Sequence, residues 1–465
     1  MAKDFRTFLE DMKREMPEDY IEIDKQIDPK FEITAIQQHL ESENRFPLLM
    51  FNNVKNLYGE PSGFRVAINA FASRQKCTLA LGMDKEKWRM ETSLEYAKRA
   101  NNLIKPVVVD KSEAPCKEVI ITGDDVDLFK LPVVTHHEMD GYPYLPDAVV
   151  AADPDNGVHN ASHHRMIVTS KNESRIWMSP RHLWNYYMRA QERNEPLPIA
   201  HVLGHHPCFF LGAESILPMD VCEYEVMGGL MQEPLRLVPS ETYGDKLMVP
   251  ADAELVIEGE IVPNCRECEG PFGEFTGYYG PQRWSPVVKI KAITHRKNPI
   301  YMNISAGHPD TSILGGIAKE ACIYEEIKRC CPGVKAVHLP ISGTCRFHLN
   351  VSLKKRFDGE GKTAGIAALP HHDIVKHVFV VDEDIDVFNE REMLWAIATR
   401  VQADQDVQIL PNCRIGLLDP SATQEGVGAK MIIDATKPVK RPYAQKIGVP
   451  ADVMERIKLK DYIGE

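Results

Sequence analysis

The sequence predicts an α/β protein in three parts, with an N-terminal α/β region, a β-rich centre and a C-terminal α/β region. Three observations predict it. The chain has 465 residues, and at roughly 150 residues per domain that is about three domains. Pro and Gly cluster near residues 106–146 and 305–316, which marks two boundaries. Strand-type apolar runs crowd the stretch between them, which gives domains over 1–105, 106–312 and 313–465.

The elements follow in order. Phe5, Phe8, Leu9 and Met12 repeat at helical spacing after Asp4, so an amphipathic helix capped by Asp4 and stopped by Pro17 is predicted. Strands are predicted at 20–23, 107–109, 149–152, 166–168, 255–257 and 378–381. Val288, Ile290 and Ala292 alternate with Lys289 and Lys291, the pattern of a half-exposed strand. Helices are predicted after Ser179-Pro180, after Asp220 and after Gly316. Another opens at Asn389, with Glu392 at capping-box spacing. No internal repeat or low-complexity segment occurs, which excludes a solenoid.

Composition narrows the function. A net charge of −12 repels phosphate backbones and disfavours nucleic-acid binding. The N-terminal MAKDFRTFLEDMKRE has no apolar h-region, and no run approaches the roughly 18 apolar residues that cross a bilayer, so a cytoplasmic protein is expected. Eleven cysteines form no regular framework and read as free thiols. Cys265 and Cys268 have zinc-knuckle spacing but lack a second ligand pair.

Three other motifs fail on inspection. Gly361-Lys362-Thr363 lacks the first P-loop glycine, because Arg356 stands there. Asp382, Asp384 and Asp386 open like a calcium loop, yet Val387 and Met393 replace its glycine and final glutamate. Four His-His pairs (136/137, 163/164, 205/206, 371/372) invite a metal, but neighbours on a strand face opposite ways, so one imidazole in and one out is expected.

The chemistry concentrates elsewhere. Glu269-Gly-Pro-Phe-Gly-Glu274 sets two carboxylates around a turn able to aim both into one concavity, where proximity keeps one of them protonated. A solvated acidic turn is the plainer alternative. Arg165, at the end of Asn160-Ala-Ser-His-His-Arg, adjoins a predicted strand and can fork onto a carboxylate or simply lie at the surface. His182 falls in the first turn of its helix, where the backbone N–H groups favour a phosphate, unless it only starts the helix. Glu223, three residues after Asp220, also suits a capping box.

Taken together and in order, Asn160–Arg165, SPRHLW with His182, EYEVMGGLMQEPLRLV with Glu223, EGEIVPN, EGPFGEFTGYYG, VDEDIDVF and LWAIATR resemble the UbiD family of prenylated-FMN-dependent decarboxylases over most of the chain. EGPFGEFTGYYG is the most specific of these. The resemblance implies a central split β-barrel holding the flavin and a C-terminal α/β domain that mediates dimerisation or higher homo-oligomerisation. It implies Asn160, His182 and Glu223 as ligands of a divalent cation, Mn²⁺ or Mg²⁺, that clamps the cofactor phosphate beside K⁺; Glu225 competes with Glu223 for the last place. The implied cofactor-binding positions are Asn160, Ser162, His163, His164, Arg165, Arg181, His182 and Glu223. The implied catalytic network is Glu269, Arg165 and Glu274, with Glu274 as proton donor. The chain departs from the family pattern at Met227 and at His163-His164, which bears on the flavin-side pocket.

The leading expectation is thus a reversible, non-oxidative decarboxylase of a small aromatic or heteroaromatic carboxylic acid, matured by a separate flavin prenyltransferase. The alternative is a non-catalytic flavin- or metal-binding subunit of a larger complex. A metal-dependent hydrolase on the His pairs is a third option. His308, in SAGHPDTS, is a candidate substrate contact or a loop histidine without a partner.

Overall fold

The computed structural model describes residues 2–146, 148–370 and 374–463. Helix Phe5–Glu15 buries Phe5, Phe8, Leu9 and Met12, and the Asp4 carboxylate accepts the Thr7 N–H at 2.8 Å, so spacing and cap act as the sequence predicts. Strands Tyr20–Ile23, Leu48–Phe51 and Arg65–Ile68 form a sheet whose fourth strand, Ile300–Met302, comes from far along the chain. That strand ties the N-terminal region to the end of the central one.

The central sheet is antiparallel and curls into a half-barrel. Its two long strands, Leu255–Glu269 and Arg283–His295, pair along most of their length, and a bulge opposite Glu258 and Gly259, where Lys291 is the extra residue, bends the second. Gly259 fits there because a Cβ would lie 2.6 Å from the Lys289 carbonyl oxygen. Strand His159–His163 ends one side of the sheet and strand Met166–Val168 lies next to last on the other. Only residues 164 and 165 separate these two strands, and three Cα–Cα steps reach at most about 11 Å. The sheet must curl until its sides nearly meet, and Arg165 sits in the gap.

Helix Pro309–Cys330 leads into a five-stranded sheet ordered Val334–His338, His348–Leu353, His377–Asp382, Val427–Ala435, Val407–Arg414, whose parallel pairs are spanned by helices Glu360–Ala368 and Glu390–Arg400. The Pro309 helix begins seven residues before Gly316, where the sequence predicted its start. Its buried face packs on Cys345 and Arg346, and Gly315 and Gly316 admit that close approach instead of breaking the helix.

Two capping-box readings and the pocket role of Met227 need correction, while the motifs set aside as failing stay so. Asn389 caps its helix, but Glu392 reaches the Asp386 N–H rather than the Asn389 backbone. Glu223 makes no capping box with Asp220; its helix, Glu223–Met231, is preceded by Cys222, and its carboxylate points at Asn160. Met227 packs against Gly212 instead of lining the pocket. Gly361-Lys362-Thr363 lies inside a helix, and Asp382 and Asp384 pair with Arg400. Cys265 and Cys268 are free thiols on strand Leu255–Glu269. Among the described residues no helix is long and apolar enough to cross a membrane.

The N- and C-terminal regions meet at Glu320, which is fully buried. It accepts from Arg74 at 2.8 Å, Ser93 at 2.6 Å, His338 at 2.8 Å and the Leu339 N–H at 2.9 Å. Burial alone would raise its carboxyl, but Arg74 and His338 bring it down to about 2. Glu320→Ala strands Arg74 without its counter-charge and is expected to cost about 3–5 kcal/mol in denaturant unfolding. A midpoint unchanged from wild type would contradict that.

Candidate active site

Arg165 joins the two predicted carboxylates. Its Nε and Nη2 donate to Glu269 at 2.8 and 3.3 Å, and its Nη1 donates to Glu274 at 2.5 Å. Glu269 ends a long strand, and the Pro271–Gly273 turn carries Glu274 back toward the same guanidinium. Both are deeply buried, at 0% and 5% exposure, so the solvated-turn alternative fails. The guanidinium is sandwiched by Trp177 and Phe272, at 4.9 and 4.7 Å from the ring centres.

Two carboxylates sharing one guanidinium in a dry site would carry a surplus negative charge, which one proton removes. Glu269 is held by the two-pronged Arg165 contact and receives the Tyr144 hydroxyl at 3.3 Å. Glu274 has one Arg165 bond and faces a cavity of about 310 Å³. Burial raises its carboxyl above the ordinary range; Arg165 opposes the rise and Glu269 adds to it. The carboxyl that both faces the cavity and is shifted toward protonation is Glu274.

A second cluster lies on the last strand of the sheet and two helix starts. Asn160 Nδ2 donates to Glu223 Oε1 at 2.9 Å and lies 3.5 Å from His182 Nδ1, while His182 and Glu223 are 3.7 Å apart. The Ala161 N–H fixes the other Glu223 oxygen at 3.2 Å. Turning the Asn160 amide over presents Oδ1 to the point where His182 and Glu223 converge. The set then offers two hard oxygens and one imidazole, which fits Mn²⁺ or Mg²⁺. Among the described residues no three His, Cys, Asp or Glu side chains gather as ligands, so any cation here depends on that amide. Glu225 stands a half-buried two residues away and has no part in the cluster.

The histidine pairs do not divide as expected. His163 and His164 both line the cavity, because the strand stops at His163 and alternation stops with it. His163 bonds the Phe210 carbonyl at 3.0 Å; His164 meets Ser162 Oγ at 2.9 Å, and burial lowers its imidazole to about 4. Ser162 also donates to Asn160 Oδ1 at 3.0 Å, and Arg181 lines the cavity at the start of helix His182–Glu192. His205 and His206 are both buried, and His136 is held by Thr34 and Asn303. The 371/372 pair lies outside the described residues. His308 has a partner after all, the Glu41 carboxylate at 2.9 Å, and stacks on His137 away from the cavity lining.

Sequence reasoning missed Tyr144, Trp177, Phe272 and Arg346, all of which line the cavity. Tyr144 and Phe272 are in ring contact at 4.2 Å and cover the buried side of the Arg165 pair. Phe272 lies inside the EGPFGE motif, and that is the one signal that could have found it.

Comparison with known proteins bears on all three regions. Residues 12–90, 107–309 and 312–435 match the N-terminal, Rift-related and C-terminal domains of 3-octaprenyl-4-hydroxybenzoate carboxy-lyase, UbiD. The phenolic acid decarboxylase of Bacillus subtilis is 35% identical over 470 residues, covering 97% of each chain. The anhydromevalonate phosphate decarboxylase of Methanothermobacter thermautotrophicus is 39% identical over 339 residues, 71% of this chain and 79% of that one. The UbiD-class enzyme HmfF from Pelotomaculum thermopropionicum, solved with FMN, superposes with a TM-score of 0.91 at 38% identity, covering 99% of this chain and 100% of that one; an evolved dimeric form of it was solved with prenylated FMN. With its fold and its three segments in agreement, the chain belongs to the UbiD family of carboxy-lyases.

Proposed function

We propose that the protein is a reversible, prenylated-FMN-dependent decarboxylase of a small aromatic or heteroaromatic carboxylic acid. The observation that carries this reading is Arg165 clasped between Glu269 and Glu274 on the wall of an aromatic-lined cavity. The modified flavin, when bound, supplies the electron sink that accepts the bonding pair as CO2 leaves. Asn160, His182 and Glu223 would hold its phosphate through Mn²⁺ or Mg²⁺, with K⁺ nearby, and Ser162, His163, His164 and Arg181 would line its bed. The neutral Glu274 carboxyl donates its proton to the carbon that lost CO2, while Glu269 keeps Arg165 in place to orient the substrate carboxylate. A binding subunit has no use for a buried acid at its cavity wall, which speaks against the non-catalytic alternative. Maturation by a flavin prenyltransferase and assembly as a homodimer through the C-terminal region complete the proposal; the exposed Leu394 and Ile409 there suit a subunit contact.

The test is protein co-produced with a flavin prenyltransferase, its absorption spectrum, and CO2 release over a panel of small aromatic acids. Cofactor-loaded protein that releases CO2 from none of them would sink the proposal. The pH dependence has a definite sign. Glu274 acts while protonated, and its raised pKa extends that form upward, so kcat is expected to hold on the acid side and fall as pH rises through that pKa. A kcat that climbs instead would show that Glu274 works as its carboxylate.

A further inference from the structure

Arg346 has no task in the chemistry above. It precedes strand His348–Leu353, is 8% exposed, and lines the same cavity as Arg165 and Glu274. Its guanidinium lies over the Phe275 ring at 4.7 Å, and Nη1 donates to the Thr344 carbonyl at 3.3 Å. Among the described residues it has no carboxylate partner. The space it occupies exists because residue 315 is glycine, since a Cβ there would collide with Nη2.

The surroundings do not neutralise it. One helical turn beyond Gly315, Lys319 donates to Glu214 at 2.8 Å and to the Gly315 carbonyl at 2.5 Å. Glu214 bonds Lys319 and also feels Arg346, so two buried cations share one carboxylate, which leaves one positive charge in surplus. A buried guanidinium without a counter-charge is costly, and its planar fork of donors matches a carboxylate or a phosphate. Arg165, held by Glu269 and Glu274, is assigned above to the carboxylate that leaves, so a second anion needs a different cation.

We propose that Arg346 binds a second anionic group of the substrate, carboxylate or phosphate, so that the preferred acid has one carboxylate to lose and another anion to be held. This rests on the decarboxylase reading of the cavity and names its substrate class more narrowly.

Calorimetric titration of the flavin-loaded enzyme tests it, with benzoate, benzene-1,3-dicarboxylate, benzene-1,4-dicarboxylate and 4-carboxyphenyl phosphate as probes. Wild type is expected to bind at least one dianion about tenfold or more tightly than benzoate, by the strength of a charge-assisted pair. Arg346→Gln is expected to lose that advantage while keeping its flavin and its benzoate affinity. Arg346→Lys, which keeps the charge without the fork, should retain part of it. A dicarboxylate preference identifies the second group as carboxylate, and a preference for the phosphate ester alone identifies it as phosphate. Equal affinity for mono- and dianions in wild type overturns the proposal, as does a preference that survives Arg346→Gln. Loss of flavin from both variants also overturns it, because the cofactor would then be the anion held. Failure to release CO2 from any acid counts against the decarboxylase reading alone, since the binding ratio is measured without turnover.

Discussion

Glu274→Gln is expected to fold, keep its flavin and lose decarboxylation by about 10²- to 10⁴-fold, the usual contribution of a positioned general acid. The substitution is close to isosteric. Gln Oε1 can still accept the Arg165 Nη1–H that Glu274 accepts at 2.5 Å, and Arg165 keeps its double contact with Glu269. The amide, however, has no acidic proton to give. Folding is spared for a further reason: the network loses half of a carboxylate pair whose joint ionisation burial opposes. Turnover, unfolding midpoint and flavin absorbance measured on one preparation separate these effects. Turnover close to wild type would remove Glu274 from the role of acid.

Glu223→Ala is expected to lose flavin and divalent metal together, by more than the 10- to 100-fold typical even of changes behind a metal's direct ligands. Glu223 is 2% exposed and accepts from both Asn160 Nδ2 and the Ala161 N–H. Without it those donors are orphaned, and His182 faces no anion. His182→Ala should act in the same direction. Glu225→Ala is the control and should retain both flavin and metal, because that side chain stands outside the cluster. Flavin and metal contents of purified variants decide the matter; full occupancy in both Glu223→Ala and His182→Ala would dissolve the proposed clamp.

What the sequence revealed depended on how local the signal was. The first helix was legible because its cap and apolar face lie within a dozen residues. The Glu269–Glu274 turn was legible because six residues contain both carboxylates and the bend between them. Arg165 could be named, but its position between the two glutamates follows from the closure of the sheet, which no local window contains. Tyr144, Trp177 and Arg346 reach the cavity from three separate strands and turns, and nothing in their neighbours marks them. The start of helix Pro309–Cys330 was misplaced because Gly315 and Gly316 read as a break, whereas they serve close packing against Arg346 and Cys345. The capping-box reading of Glu223 failed for a related reason: a partner 63 residues away outweighed one three residues away.

The short link between strands His159–His163 and Met166–Val168 limits how such an enzyme can diversify. One residue inserted there would move the guanidinium by about one strand step of 3.3 Å, beyond hydrogen-bond reach of both glutamates. A change of acid preference is therefore expected to come from other lining residues, such as 346, 414 and 416–418, with this hinge of the barrel kept at fixed length. Adaptation to a new acid is a matter of refurnishing one side of the room while the other side stays bolted down.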